Sequence, residues 1–372
     1  MESVPHPDWS EFATKLARLA AVAVSAGCDR LVLRRQANLS YLIGGRSHVP
    51  QTLDSACFDV IVHAGPEPTA TVVTNAIEAP RLRDTELADA PIQWVVVNWW
   101  EDRTARLPRG SAVASDSGLP GTIDLSGQVA VVRRSLTGNQ QAQLRVLCRD
   151  AAAAATRSMN WLTPYLTEYE AAGRFAGELL ADAMDPIVLL VAGADRLARD
   201  RHPLPSTGPL GDRAMLVCCA RRNGLVASVT RIISFTALDG RDRDRYDALL
   251  RVEAAFLDAT VPGVSLGEAV SSAVTAYGRE GFDPDEWQHH HQGGLTGWEP
   301  REFPARPTSP ELIQLNGVVG WNPSASGWKV EDTCLVTANG PEPLVDDGSW
   351  PTQLVAGRRR PAVVEVGAPC HS

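Results

Sequence analysis

Residues 201–205 read RHPLP, and three further polar stretches follow along the chain: NGLVASVTR at 223–231, HHHQGGLTGWEPRE at 289–302 and WNPSASGWKVED at 321–332. Each stretch lies beside an apolar run that is typical of a β-strand. A scaffold that fixes the backbone at the end of a buried strand also fixes the polar side chains there. The four stretches therefore predict a single pocket in the second half of the chain.

The bulk composition is that of an ordinary globular protein. The chain has 372 residues, a length sufficient for two domains, and 44% of the residues are hydrophobic and 21% are charged. The net charge of −9 argues against nucleic acid or an anionic membrane surface as a partner. No apolar run reaches the roughly 18 residues of a membrane span. Seven cysteines without a framework spacing predict reduced thiols and a cytoplasmic location.

The first 155 residues predict an α/β domain, because short strand-like runs alternate with helical segments. Residues 9–26 have apolar side chains at helical spacing, and Gly27 ends that helix. The strand-like runs are 30–33, 39–43, 58–62, 69–74, 94–97 and 128–132, and the helical segments lie near 76–89 and 117–125. We expect this domain to be a scaffold or to mediate dimerisation, with the loop at 46–51 reaching a partner subunit as the alternative.

A long helix over 139–159 leads into a second domain, assigned to residues 156–372. Thr167 and Glu170 form a capping-box pattern that starts a helix ending at about residue 182. The predicted strands are 187–192, 215–219, 225–235, 317–322 and 328–337, and the predicted helices are 243–259 and 265–280.

Several motifs resemble those of the creatinase/aminopeptidase P family, whose members share the pita-bread fold. They are T-E-x-E at 167–170, H-x-x-P at 202–205, G-x-x-x-S-x-T-R at 224–231, H-x-G-G at 291–294 and V-E-D-T at 330–333. The resemblance implies a mixed α/β (α+β) protein, in which a creatinase-like N-terminal α/β domain precedes a pita-bread catalytic domain. It also implies a homodimer.

The metal ligands of that family are mostly replaced. Metal-dependent members hold two divalent ions with two Asp, one His and two Glu. On this sequence the two Asp positions fall on Val217 and Ser228, the His on His291, and the two Glu on Asn322 and Glu331. One imidazole and one carboxylate cannot neutralise two dications, so we expect no metal and no other cofactor. A shifted alignment, or a site rebuilt from Cys and His, is the alternative.

Three residues are predicted to be catalytic. The position matching His202 is the general acid or base in metal-free creatinase, and an imidazole with a pKa of about 6.5 can carry a proton near neutrality. His291 is assigned to the pocket, and alternation along an extended backbone lets at most His289 and His291 converge. Glu331 must pair with a cation or become protonated if it is buried, and it would then orient the base.

Two arginines on the polar stretches predict a substrate with an anionic group, because an Arg fork matches a carboxylate. These are Arg231 and Arg301, with Glu302 beside the second. An internal ion pair of Arg301 with Glu302 or Glu331 competes with this interpretation.

Neutral groups complete the predicted pocket. Ser228 and Asn322 replace ligands with hydrogen-bonding groups, and Trp298 is a candidate wall, as are the tryptophans at 321 and 328. Cys218 is a candidate nucleophile, although a packed thiol fits its apolar strand better.

The resulting prediction is a metal-independent hydrolase or lyase that acts on a C–N bond of a small carboxylate-bearing molecule. Creatine is not expected, because the two glutamates that hold its guanidinium group in creatinase match Thr230 and Asn322. The alternatives are a metallopeptidase of the Xaa-Pro aminopeptidase or dipeptidase type, and a pseudoenzyme that binds a small ligand.

Overall fold

The computed structural model describes residues 9–44, 55–325 and 327–366, which form two compact units. The first unit comprises the residues up to Asn139 with Asn223–Leu225, and the second comprises Gln140–Arg222 and the residues from Val226 onward. The units thus divide near the start of the long helix, whereas the sequence analysis placed its domain boundary at residue 155. The loop at 46–51 lies outside the described residues. The mixed α/β class is confirmed.

The first unit is built around a sheet whose strands run in the order β4-β3-β2-β1-β5-β6. β2 pairs antiparallel with β1 and β3, whereas the outer strands pair in parallel. Its elements are α1 (Phe12–Ser25), β1 (Arg30–Arg35), α2 (Gln36–Ile43), β2 (Ser55–His63), β3 (Thr69–Asn75), α3 (Glu78–Asp84), β4 (Gln93–Val97), β5 (Val113–Ser115), β6 (Ile123–Asp124) and α4 (Ser126–Arg133).

Three predicted elements of this unit are wrong. Residues 39–43 and 128–132 belong to helices α2 and α4 rather than to strands, and residues 117–125 form turns and β6 rather than a helix. Every side chain from Ala37 to Ile43 is buried, including those of Asn38 and Ser40, so polar and apolar residues show no helical period in this segment. A short apolar run of this kind is compatible with either a helix or a strand.

The second unit holds the remaining elements, apart from the first residues of α5 and of β9. They are α5 (Gly138–Ser158), α6 (Glu168–Ala181), β7 (Asp185–Gly193), α7 (Ala194–Leu197), β8 (Arg213–Arg222), β9 (Leu225–Ser234), α8 (Gly240–Asp258), α9 (Leu266–Ala273), α10 (Thr275–Arg279), β10 (Gly293–Leu295), β11 (Val318–Trp321), β12 (Ser324–Ala325), β13 (Trp328–Lys329), β14 (Asp332–Thr337), β15 (Gly340–Pro343), β16 (Thr352–Val355), β17 (Arg358–Pro361) and β18 (Val364–Glu365).

The main sheet of this unit runs in the order β10-β11-β14-β9-β8-β7, with β15 added to β14 and β18 added to β9. The strand predicted over 328–337 is divided, because β13 pairs with β12 while β14 pairs with β9 and β11. Glu331 lies at the junction where the chain changes its pairing partner. Helices α8, α9 and α10 contribute to one apolar core with the sheet, and the ring of Phe256 lies 5.0 Å from that of Trp321.

Two helices of the second unit begin at capping boxes, of which the first was predicted from the sequence. Thr167 accepts from the amide of Glu170, whose carboxylate accepts in return from the amide of Thr167, so the predicted capping box is confirmed. Ser265 and Glu268 repeat this arrangement at the start of α9. In the described part of the chain, no helix has the length and apolar character that a bilayer crossing requires.

Candidate active site

The loop that carries His202 is held by a buried carboxylate at the start of α6. Glu168 is 1% exposed, and its two oxygens accept from the amides of Gly193 and Ser206, each at 2.8 Å. Arg196 pairs with the same carboxylate. The first Glu of the T-E-x-E motif therefore has a positioning role, because it ties both ends of the segment around His202 to α6.

His290 and His291 lie between a 3₁₀-helix, Glu286–His289, and strand β10. Gln292 fixes this segment, because its amide nitrogen donates to the carbonyl of His290 at 2.6 Å and its oxygen accepts from Tyr277 at 2.8 Å. Gly293 has a φ of 102°, and a Cβ there would overlap the carbonyl oxygen of Gly320 on β11. This glycine is thus required by the close approach of two strands.

Three imidazoles converge at this point. Nε2 of His290 lies 2.8 Å from Nε2 of His202, and the rings of His290 and His291 stack at 4.5 Å. The ring of His291 lies 5.4 Å from that of His202. The expectation that at most His289 could converge with His291 is wrong, because the 3₁₀-helix ends at His289 and the alternation of an extended strand does not cross that junction.

Glu331 is fully engaged by two cations. Oε2 lies 2.9 Å from Nζ of Lys329, and Oε1 lies 2.5 Å from Nη2 of Arg301. Burial raises the pKa of this carboxyl, but the charges and hydrogen bonds of Lys329 and Arg301 outweigh it and lower the pKa to about 2. Of the roles weighed for Arg301, the structure therefore shows the internal ion pair with Glu331.

Burial and these two cations also keep the imidazoles neutral. Burial and then Lys329 lower the pKa of His290 to about 2, and burial and then Arg301 lower the pKa of His291 to about 4. The pKa of His202 is lowered by burial and by Lys329 as well. At pH 7 the three neutral rings, two cations and Glu331 carry one net positive charge, which suits an anionic ligand group.

The positions of the replaced ligands lie on the neighbouring strands. Ser228 is completely buried on β9, and its Oγ lies 3.4 Å from Sγ of Cys219. Burial raises the pKa of the Cys219 thiol, and Glu331 adds to that effect, so the thiol is protonated at pH 7. Asn322 is 1% exposed, and its Oδ1 has no hydrogen-bond partner among the described residues. The residue facing Ser228 is therefore Cys219 rather than Val217.

Arg231 is not brought into this cluster. It is 2% exposed, and its Nη1 lies 2.7 Å from Oδ1 of Asp332. Oδ2 of Asp332 lies 3.0 Å from Arg360, which also binds Glu253. Successive residues of an extended chain point to opposite faces. Glu331 and Asp332 therefore form ion pairs with different sets of basic residues.

The remaining predicted residues lie in the protein interior or beside it. Trp321 donates to Thr260 at 2.8 Å within the core, and the guanidinium of Arg213 lies 3.9 Å from the ring centroid of Trp328. Trp298 is 2% exposed, and Glu302 is partly exposed in the loop beside Arg301. Cys218 is fully buried, and burial raises its pKa well above the ordinary value, which agrees with a packed thiol.

The sequence analysis missed two contributors to the cluster. His290 was not expected to converge with His291, and Lys329 was not among the predicted site residues. The adjacency of Lys329 to a predicted buried carboxylate was the available signal, since side chains at i and i+2 of an extended strand share a face. No comparable signal in the sequence indicated that His290, rather than His289, lies in the cluster.

Comparisons with known proteins agree with the predicted family. Residues 142–338 match the model of metallopeptidase family M24. The probable dipeptidase PepE of Mycobacterium bovis is 22% identical over 380 residues, covering 94% of this chain and 97% of that protein. Among solved structures, dipeptidase PepE from Mycobacterium ulcerans has a TM-score of 0.74 at 18% identity, covering 97% of this chain and 99% of that chain. The Xaa-Pro dipeptidase from Bacillus anthracis has a TM-score of 0.73 at 16% identity, covering 92% and 99%.

These findings overturn the main functional prediction. Relatives across nearly the whole chain are named dipeptidases, and the matching family is one of metallopeptidases, so a metal-independent hydrolase or lyase is wrong as the principal interpretation. They favour the alternative of a dipeptidase-type enzyme. The error arose because the replacement of metal ligands was taken as evidence for a different reaction. Such a replacement bears on whether the site binds metal ions and does not identify the reaction.

The residues present nevertheless do not fit the pair of divalent ions that the family implies. Both oxygens of Glu331 are held by Lys329 and Arg301, so fixed cations lie where a dication would need negative charge. Ser228, Cys219 and Asn322 contribute neutral groups in place of carboxylates. This disagreement concerns the ligands, and the fold is that of the family. Because the match to the family model spans more than half of the 372 residues, the chain belongs to metallopeptidase family M24.

Proposed function

We propose that the protein is a hydrolase that cleaves the peptide C–N bond of short peptides, with dipeptides, including those ending in proline, as substrates. Membership of family M24 and the names of the PepE and Xaa-Pro dipeptidase relatives support this proposal. The main structural support is that His202, His291, Arg301 and Glu331 form one cluster inside the segment that matches the family.

Each member of the cluster has a role that its surroundings support. The neutral imidazoles of His202 and His291 can accept a proton, and Glu331 holds Arg301 and Lys329 in place. The net positive charge favours binding of the free carboxylate of a peptide. We further propose that Ser228 and Asn322 hydrogen-bond the substrate amide, and that Trp298 and Glu302 border the site.

The test is an assay of purified protein against a panel of dipeptides with and without a C-terminal proline, with free amino acids measured by mass spectrometry. We expect release from at least one class, and a loss of about a hundredfold or more in kcat/KM for His202→Ala and His291→Ala. His289→Ala, in the same run but exposed, should leave the rate unchanged. No release from any peptide, with Zn²⁺ or Mn²⁺ added in separate reactions, would refute the proposal.

A second candidate is a protein that binds a small carboxylate-bearing ligand without turnover. Ser228, Cys219 and Asn322 replace carboxylate ligands, and this replacement favours the second candidate. These neutral polar groups can hydrogen-bond a ligand but do not hold the family's pair of ions. A rise in Tm with dipeptides or amino acids, in protein that releases no product, would support this candidate. The homodimer and the cytoplasmic location stay predictions, and light scattering of the purified chain would test the first.

A further inference from the structure

The group formed by His202, His290 and His291 has the dimensions of a metal site. One ring nitrogen from each residue lies within 4.8 Å of those of the other two. Three nitrogens at such separations can surround one ion at bonds of about 2.0–2.1 Å after a small rotation of the exposed His202 side chain. Nε2 of His202 and Nε2 of His290 are already 2.8 Å apart.

The protein alone leaves this group incompletely satisfied. His290 is 8% exposed, and its Nδ1 has no hydrogen-bond partner among the described residues. Nδ1 of His291 is also buried without a partner there. Buried polar atoms are rarely left unpaired, so the arrangement indicates a ligand that interacts with the rings.

The surrounding charges restrict which ion can bind. Lys329 and Arg301 oppose any cation, and Glu331 offsets one of these two charges. Hard ions such as Mg²⁺ and Mn²⁺ depend on carboxylate oxygens, and the three imidazoles provide none. Zn²⁺ and its late first-row neighbours bind imidazole nitrogen strongly enough to compensate for part of this repulsion.

We propose that His202, His290 and His291 bind one Zn²⁺-like ion per chain through three imidazole nitrogens, with one coordination position left open. This site differs from a carboxylate-held pair in the number of ions, in the ligand type and in the preferred metal. Its existence does not depend on whether peptides are hydrolysed, and the experiment measures binding only.

The experiment uses full-length protein without a polyhistidine tag, stripped of metal with a chelator. Titration with Co²⁺ should give the visible absorption of a four-coordinate ion that saturates at one equivalent, and Zn²⁺ should displace it. Zn²⁺ should also raise the Tm, whereas Mn²⁺ should bind more weakly than Zn²⁺. Saturation at two equivalents with a preference for Mn²⁺ would refute the proposal.

Variants identify the ligands. His290→Gln and His202→Gln should each lower the affinity for Co²⁺ by at least about tenfold, because losing even an outer-shell partner costs that much. His202 is exposed, so its variant folds even if that of buried His290 does not. His289→Gln is the matched control from the same run, and its affinity should equal that of the wild type. Unchanged affinity in His202→Gln would refute the three-histidine site.

Discussion

Nζ of Lys329 lies 2.9 Å from Oε2 of Glu331, and the two side chains are only 5% and 3% exposed. Arg301 occupies the other oxygen of the same carboxylate. Two protein cations therefore surround the one carboxylate that the sequence analysis matched to the family's ligand set. An interaction buried to this degree stabilises the protein only while all of its members are present.

Removing the charge of Glu331 should destabilise the protein strongly. Glu331→Gln leaves Lys329 and Arg301 buried without their anion, and we expect a loss of about 3–5 kcal/mol in the free energy of unfolding. Glu342→Gln is the matched control, because Glu342 is 45% exposed and pairs with Arg145 on the surface. It should cost less than about 1 kcal/mol. Denaturant unfolding of both variants is the measurement, and equal losses would contradict the expectation.

The same carboxylate should contribute to the acid sensitivity of the protein. Its pKa is about 2 in the folded protein against an ordinary value of 4.5, so the unfolded state binds the proton more readily. The stabilisation is complete above pH 4.5 and is lost as the pH falls from 4.5 towards 2. Unfolding free energies measured over this range should fall less steeply for Glu331→Gln than for the wild type. Parallel curves would show that Glu331 is not the group responsible.

Gly293 should tolerate no side chain. It combines a φ of 102° with the close approach of Gly320, so Gly293→Ala must displace β10 from β11. We expect a loss of more than about 3 kcal/mol in unfolding free energy, or failure to fold. Gly263→Ala is the control, since Gly263 has a φ of 89° but open space around it, and it should cost about 1 kcal/mol. Similar losses at the two positions would rule out the steric explanation.

Glu168 should control the mobility of the loop that carries His202. Glu168→Gln removes the ion pair with Arg196 and weakens the bonds to the amides of Gly193 and Ser206, so hydrogen exchange should accelerate over residues 201–206. Glu170→Gln is the control from the same helix start, because glutamine also serves in a capping box. Its exchange pattern should match the wild type, and unchanged exchange in Glu168→Gln would contradict the positioning role.

Elements with a long periodic pattern or a cap residue could be predicted from the sequence. Helices α1, α5 and α8 and strands β7 and β9 lie where the patterns placed them, because each has a clear period or a cap residue. Helix α2 was misassigned because all of its residues from Ala37 onward are buried, which removes the period.

Four residues of the candidate site could be predicted from the sequence, each from its own motif or strand position. His202, His291, Arg301 and Glu331 were placed in one pocket by motif and by strand position, and the structure brings them together. His290 was not placed in the pocket, because the direction of its side chain depends on where a 3₁₀-helix ends. No local sequence pattern predicts that position. The separation of Arg231 from the cluster follows from strand alternation, which the sequence contains but which was not applied to Arg231.

The consecutive carboxylates at the junction that leads into β14 have consequences for how this strand aligns during folding. Glu331 belongs with Lys329 and Arg301, and Asp332 belongs with Arg231 and Arg360 on the other side. A slip of one position would exchange the two acids and present each pair of bases with a side chain of the wrong length. Competing alignments of this strand are thus penalised by unmatched charge on both sides of the sheet, in addition to the misplacement of its apolar residues.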